Sequence, residues 1–416
     1  MRRRLVCALV FGLHAVAAAA APLEYIGQNI VPTGAQYAGT TIGGLSGIDF
    51  DAAASRYWAI SDDRSQLNPA RFYDLTLDLS QFARSSAPGS AGVTFTGVTN
   101  LKTVAGTDFA ALTVDPESIR KVGDTLYWSN EGQRTAAGFQ NPTVRSMDLA
   151  GNHTGDFAVP TRFNPVGDAS GLVAGDAGIY NNLAFESLTL STDRTKLYVA
   201  AENGLAQDSL PVTQATNQPS TTRVVEFDVA TRSAQAEYAY EVGPLTALPS
   251  PASAFATNGL VEMLAVGDRQ FLTVERSFAT GVPGNGIRIY LADARNASDV
   301  SALDSLEGAT FTPMSKQLLL DLNTLTNDDG SPLLLDNIEG ITFGPGFGPY
   351  AQTLILVSDN NFSGTQFTQF VALGLTAPIP EPETYALLGA GLVLLALRRR
   401  PQPSPGRHRS ETDRLR

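Results

Sequence analysis

The chain of 416 residues carries 29 lysines and arginines against 41 aspartates and glutamates, with one cysteine and three histidines. A surface this acidic repels nucleic acid, so no polyanion partner held by general electrostatics is expected. With one cysteine, and only His153 outside residues 1–21 and 379–416, disulfide frameworks and multi-histidine zinc sites are excluded as well.

The first element is a leader. Met1-Arg2-Arg3-Arg4 precedes an apolar run at residues 5–13, and an alanine-rich stretch ends at Ala21. A basic head, a short apolar segment and small residues are the three parts of a secretory signal, here residues 1–21 with cleavage expected near Ala19 to Ala21. The apolar part is too short to cross a bilayer, which takes about 20 residues. Cys7 follows Val6 rather than a small residue, so it is not read as a lipid anchor. A buried N-terminal helix is the alternative.

Residues 22–376 then read as one all-β domain. Short runs rich in Val, Ile, Thr, Tyr and Phe alternate with Gly, Pro, Asn and Asp, and long amphipathic helices are missing. A strand pair recurs with a period of roughly 70 to 77 residues, long for a propeller blade but reachable with long loops. The first copy is Gly44-Leu45-Ser46-Gly47-Ile48 followed by Trp58-Ala59-Ile60-Ser61-Asp62-Asp63-Arg64. The second is Asp115-Pro116-Glu117-Ser118-Ile119-Arg120 with Trp128-Ser129-Asn130-Glu131, and the third is Phe185-Glu186-Ser187-Leu188 with Val199-Ala200-Ala201-Glu202-Asn203. A weaker fourth aligns Val261-Glu262-Met263 with Thr273-Val274-Glu275-Arg276. The fifth is Asn337-Ile338-Glu339-Gly340-Ile341 with Leu356-Val357-Ser358-Asp359-Asn360.

Two inner strands with two outer strands per repeat is the plan of a β-propeller. Five copies give five blades, or six if one blade has lost its motif. Leu23-Glu24-Tyr25-Ile26 is placed to pair with the last blade and close the ring. An array of β-sandwiches is the runner-up, but it leaves the polar residues recurring at strand ends without a reason.

The chain ends with Ile379-Pro380-Glu381-Pro382-Glu383-Thr384, an uncharged run at residues 385–397, then Arg398-Arg399-Arg400. A proline spacer, a short hydrophobic helix and a cluster of positive charge that stays cytoplasmic define this element physically. With Pro380-Glu381-Pro382 as its motif, the segment 377–400 resembles the PEP-CTERM sorting signal of Gram-negative bacteria. The resemblance implies an exported protein, anchored at the inner membrane through residues 385–397 until an exosortase processes it, and then found at the cell surface or in the extracellular matrix. A polar tail, residues 401–416, follows the arginines, where such signals usually stop sooner.

Setting both ends aside sharpens the chemistry of the middle. Without the three arginines of the leader, and the seven arginines and four acids from Ile379 onward, 19 basic residues face 37 acidic ones, a net of about −18. Cys7 and His14 leave with the leader and His408 lies in the tail, so His153 is alone, in a turn-like Gly-Asn-His-Thr sequence. A Ser-His-Asp triad has no nucleophile elbow near it. The chemistry left is that of carboxylates, hydroxyls, amides, arginines and an oxygen-loving metal.

In a propeller the starts of the inner strands and the exits of their partners meet at one end of the axis. Ser46, Glu117, Glu186, Glu262 and Glu339 are therefore expected in one ring, with Asp62, Asp63, Asn130, Glu131, Glu202, Asn203, Glu275, Asp359 and Asn360 in the turns above it. Converging acids repel one another unless cations are present, and six to eight oxygen ligands suit Ca²⁺. Arg64, Arg120, Arg134 and Arg276 lie in or near these segments and can bind an anionic oxygen. We expect catalytic roles for Asp62, Asp63, Arg64, Glu117, Glu186 and Glu339, and metal ligation by Glu131, Glu202 and Asp359. For any single position, a capping role in a turn is the competing reading.

The same segments, together with Ala70-Arg71-Phe72-Tyr73, resemble the phytase-like domain family described by its esterase-like activity, over nearly the whole domain. That resemblance implies a propeller and a hydrolase of phosphate or carboxylic esters acting on a small anionic ester. Two other functions are compatible with the residues: a non-catalytic module binding exopolysaccharide of the cell's own matrix, and a lactonase-like propeller enzyme that also holds Ca²⁺ with carboxylates.

Overall fold

The computed structural model describes residues 23–376. The leader, the sorting segment with its hydrophobic run at residues 385–397, and the polar tail lie outside the described residues.

Within them the fold is five four-stranded antiparallel sheets. The first blade runs Leu45–Asp51, Arg56–Ser61, Arg71–Leu77 and Val93–Asn100, and the second runs Pro116–Val122, Thr125–Asn130, Thr143–Asp148 and His153–Asp156. The third comprises Phe185–Leu190, Lys196–Ala201, Ser220–Asp228 and Ser233–Val242. The fourth comprises Ala256–Gly267, Gln270–Ala279, Gly286–Asp293 and Ser315–Asp321. The fifth takes Asn337–Gly344, Gln352–Asp359 and Thr368–Leu375, and its outermost strand is the N-terminal Leu23–Val31. The first strands of the blades neighbour one another in cyclic order, and the fifth returns to the first. The architecture is a five-bladed β-propeller, closed by pairing of the two ends of the domain.

Apolar side chains between the sheets hold adjacent blades together. Ile355, Val357 and Phe370 of the fifth blade pack with Leu45, Tyr57 and Tyr73 of the first, and Ile60 and Phe72 pack with Ile119, Leu126 and Trp128 of the second. Further clusters join Val144 to Phe185 and Val225, and Tyr198 and Tyr240 to Leu260 and Phe271. Burying large side chains of this kind contributes about 1.5–3 kcal/mol each.

One irregularity, repeated in every blade, positions the site. The pairing of first and second strands slips between Leu45 and Gly47, Pro116 and Ile119, Phe185 and Ser187, Leu260 and Glu262, and Ile338 and Gly340. A bulge of this type inserts an extra residue and re-aims its side chain. The residues in the slips are Ser46, Glu117 with Ser118, Glu186, Val261 and Glu339.

This register corrects one expectation. Glu262 is not the fourth member of the glutamate ring; Val261 holds that position, and Glu262 aligns with Gly47, Ser118, Ser187 and Gly340. It fills the space those four small residues leave on the axis. Its carboxylate accepts hydrogen bonds from Ser118 Oγ at 2.7 Å and from the Leu188 and Met263 amides, both at 3.0 Å. Close packing explains the small residues: a Cβ on Gly47 would sit 2.7 Å from the Glu117 carbonyl oxygen, and one on Gly340 2.7 Å from Val357.

Arg120, two residues further along its strand than Ser118, also turns out to be an axial residue rather than a site residue. Its guanidinium donates to the carbonyls of Ile48 and Ile119 at 2.9 and 2.8 Å and of Met263 at 2.9 Å. It also pairs with Glu262 at 2.9 Å. With a further contact from Arg120 to the Ile341 carbonyl at 3.4 Å, all five blades meet on this pair, which closes the channel beneath the ring of bulged residues.

Candidate functional site

Above the plug lies a cavity of about 970 Å³. Three tiers of residues stand at this end of the axis, each with one equivalent position from every blade, and Asp62, Asp115, Glu117, Glu186, Glu202, Arg276, Asn337, Glu339 and Asp359 among them line the cavity. The residues just before the slip are Gly44, Asp115, Ala184, Gly259 and Asn337. The bulged tier holds Ser46, Glu117, Glu186, Val261 and Glu339. The tier at the exits of the second strands holds Asp62, Glu131, Glu202, Arg276 and Asp359.

Eight carboxylates converge in this way, from Asp62, Asp115, Glu117, Glu131, Glu186, Glu202, Glu339 and Asp359. Two cations answer them. Arg276 Nη2 lies 3.2 Å from Glu202 Oε1 and 3.5 Å from Glu339 Oε1, and Arg64 Nε lies 3.2 Å from Asp115 Oδ2. Asn337 links Arg276 to the acids, accepting from Arg276 Nη1 at 2.7 Å and donating to Glu339 at 2.9 Å and Asp359 at 3.3 Å.

The small members of the first tier make room. Gly44 has φ +63°, and a Cβ there would stand 2.0 Å from Asp62 Oδ1. A Cβ on Gly259 would stand 2.1 Å from Glu202 Oε1. Glycine at these two positions is what lets Asp62 and Glu202 occupy the cavity.

Burial in mutual company shifts the acids upward. Desolvation first, and repulsion from neighbouring carboxylates second, hold Asp62, Glu117, Glu131 and Glu186 well above the ordinary carboxylate range. Desolvation pushes Asp115 up to about 7 against the pull of Arg64. It pushes Glu339 to about 8 against Arg276, and Asp359 to about 6 against hydrogen bonds from Asn361 and Asn337. Glu202 is raised by burial, with Arg276 opposing.

Two observations fit this donor set to a hard divalent cation. Asp115, Glu117 and Glu131 each bring one carboxylate oxygen to within 4.8 Å of the others. Glu202 is almost wholly buried, yet its Oε2 has no hydrogen-bond donor, and Asp62 Oδ1, a covered atom of a half-buried residue, has none either. A buried acceptor without a donor costs about 1–3 kcal/mol, which a cation would offset. All-oxygen ligation selects Ca²⁺ or Mg²⁺ over softer metals.

Set against the sequence expectations, the structure assembles Asp62, Arg64, Glu117, Glu186 and Glu339 around one cavity, together with Glu202 and Asp359, and Glu131 joins them through its cluster with Asp115 and Glu117. Within the expected metal set, only Glu131 belongs to the tightest cluster, whose other members are Asp115 and Glu117. Asp115 was the residue missed. Its signal was present, because an acid directly preceding an inner strand shares the end of the axis with the glutamate two residues on.

Asp63 lines the cavity but its oxygens are committed. They accept from the Gln66, Leu67 and Asn68 amides at 2.9, 3.1 and 2.8 Å, and from Arg71 Nη1 at 2.7 Å. The asparagines of the second-strand exits cap backbone: Asn130 accepts from the Asp115 amide, Asn203 from Val212 and Asn360 from Gly44. Glu275 points away to Tyr240, Lys316 and the Gly243 amide. Arg134 is locked in a loop, donating to the carbonyls of Val166, Asp168 and Ala177 at 2.7–2.8 Å. His153 lies on the outer strand of the second blade, 3.3 Å from Asp156.

Fold and site together define a five-bladed propeller with a blind, carboxylate-lined cavity at one end of its axis. The chain belongs to the phytase-like family, described as esterase-like activity of phytase, which matches residues 40–362. The PEP-CTERM protein-sorting motif matches residues 378–400. That motif marks an exported protein, recognised by an exosortase and routed through the membrane toward the cell surface. A comparison with curated proteins returns no match. Among solved structures, the chain is similar to the Dos1 propeller, with 9% identity over 81% of this chain and 69% of that one, at TM-score 0.32. It is also similar to the native Bacillus subtilis arabinanase Arb43A, with 12% identity over 80% of this chain and 95% of that one, at TM-score 0.38.

Proposed function

We propose that the protein is an exported hydrolase of phosphate or carboxylic esters whose cavity holds Ca²⁺. The observation that carries this reading is the buried, donorless Oε2 of Glu202 in a cavity that Asp115 and Glu117 also line, the latter two clustered with Glu131. In the hydrolysis, water adds to the ester carbon or phosphorus, the bond to the leaving oxygen breaks, and that oxygen takes up a proton. Bound Ca²⁺ would supply charge to polarise the ester oxygen or the attacking water.

The chain's own residues divide the remaining work. Asp115, Glu117 and Glu131 would hold the cation, with the unpartnered oxygens of Asp62 and Glu202 as further candidate ligands. Arg276, fixed by Asn337 and Glu202, presents a guanidinium to an anionic oxygen of the substrate or product. Glu339, pushed to about 8, keeps a proton at neutral pH and can deliver it to the leaving oxygen. The Arg120–Glu262 plug closes the lower end of the cavity.

The test is calorimetric titration of the chelator-stripped protein with CaCl₂, followed by a broad panel of chromogenic phosphate and carboxylic esters with and without chelator. The expected result is stoichiometric Ca²⁺ binding and chelator-sensitive turnover. Ca²⁺ binding without turnover of any ester would remove the enzymatic half of the reading and favour the matrix-binding module.

A further inference from the structure

The three tiers are not equally acidic all the way round. The fourth blade contributes Gly259, Val261 and Arg276, so it brings no carboxylate to the cavity. The acid cluster of Asp115, Glu117 and Glu131 belongs to the second blade. The tiers therefore have a carboxylate side and, at the fourth blade, a side without acids; Asp336, which also lines the cavity, has its oxygens taken up by the Phe367 and Asn337 amides.

The acid-free side is apolar above Arg276. Phe255 and Phe278 stack in a tilted pair with ring centroids 6.0 Å apart, and both line the cavity with Leu334, while Phe362 and Leu67 line it from the side of Asp62. Phe255 is 59% exposed and Leu334 is 48% exposed, high values for such side chains. The pattern extends over the whole end of the propeller. Among the described residues twelve large hydrophobic side chains are well exposed, and eleven lie in the connections at the cavity end, with Leu318 the exception on an outer strand.

Charge sets a second limit on the occupant. Eight carboxylates face two arginines, and both arginines already pair with acids. A ligand carrying many negative charges would meet repulsion that one or two bound cations do not cancel.

We infer that the substrate is an amphiphilic monoester, with a single ester group at the acids and an aromatic or acyl group lying on Phe255, Phe278 and Leu334, rather than a polyphosphorylated sugar. This rests on the hydrolase reading above for the ester group, while the apolar wall stands on its own geometry. Phe255, Phe278 and Leu334 then determine specificity, acting on binding of the apolar group and not on the bond-breaking step.

The experiment uses the full chain with Ca²⁺ and compares Phe255→Ser, Leu334→Ser and the wild-type protein. All three are first titrated with 1-naphthol, a neutral aromatic product, and with inositol hexakisphosphate. They are then assayed on 1-naphthyl acetate, 1-naphthyl phosphate and the small aliphatic ester methyl acetate. Naphthol should bind the wild-type protein and lose roughly 10-fold in affinity in each variant, as the loss of an apolar contact predicts. The KM for the naphthyl esters should rise by a similar factor with kcat preserved and methyl acetate unaffected. Tighter binding of inositol hexakisphosphate than of naphthol, or variants that leave naphthol affinity unchanged, would overturn the inference. Absence of all turnover with naphthol binding intact would instead count against the hydrolase reading alone.

Discussion

The carboxylate of Glu262 and the guanidinium of Arg120 meet at 2.9 Å on the axis of the propeller, one from the fourth blade and one from the second. Both side chains are almost fully buried. The pair occupies the one place where all five inner strands converge, so it joins blades that share no sheet. Removing one partner of such a pair strands the other as an unpaired buried charge, at a cost of about 3–5 kcal/mol.

Arg120→Met should therefore destabilise the protein by about that amount, and Arg120→Met with Glu262→Leu should recover a large part of it. Urea unfolding followed by tryptophan fluorescence measures both. Equal losses in the single and double variants would show that the pair is not a unit.

Gly44 permits Asp62 to enter the cavity, and its φ of +63° disfavours any side chain. Gly44→Ala should cost about 1–3 kcal/mol in backbone strain and collision, and it should displace the Asp62 carboxylate. The check is a Ca²⁺ titration beside a melting curve. A variant with wild-type melting and wild-type affinity would refute the packing argument.

Glu131→Gln and Glu117→Gln keep shape and remove one charge each from the tightest acid cluster. Each should weaken Ca²⁺ binding by at least 10-fold, while the chelator-stripped protein becomes no less stable, because an acid that burial makes costly to ionise gives way to a neutral amide. Calorimetry gives the first quantity and thermal unfolding the second. Asp63→Asn is the contrast, since Asp63 holds a turn and Arg71. It should lower stability and leave metal affinity within a few-fold.

Without a cation, stability should fall as pH rises. Asp359, Asp115 and Glu339 titrate near 6, 7 and 8 in the folded protein, against 3.8, 3.8 and 4.5 as ordinary values. Between those limits the folded state keeps protons that the unfolded chain has released, so each unit of rising pH favours unfolding. The melting temperature in chelator should thus decline from about pH 4 to about pH 8, and saturating CaCl₂ should restore it most at the alkaline end. A melting temperature independent of pH in chelator would contradict these raised acidities.

The strand pairs that carry the fold were readable because each repeat ends its inner hairpin with the same kind of polar residue. Glu117, Glu186 and Glu339 were legible for that reason, as were Asp62, Glu131, Glu202 and Asp359. In the fourth repeat the sequence pattern alone places the match one residue out of step. A bulge adds a residue without changing the hydrophobic run around it, so Glu262 looked equivalent to its neighbours while Val261 was the true counterpart. The arginines were harder still. Arg120 and Arg134 share segments with site residues, and only the alternation along a strand and the path of a loop decide that one plugs the axis and the other pins carbonyls.

The N-terminal strand has its own implication for how this protein comes into being. Leu23 pairs with Leu375 and Val31 with Thr368, so the earliest segment of the domain finds its partner in the latest. Until Thr368–Leu375 is present, Leu23–Val31 has no sheet to join, and the fifth blade lacks its rim. Such a distant pairing is slow to form. Completion of the ring is therefore tied to completion of the chain, and a partly exported molecule stays open and threadable. In this fold the first strand made is among the last to be secured.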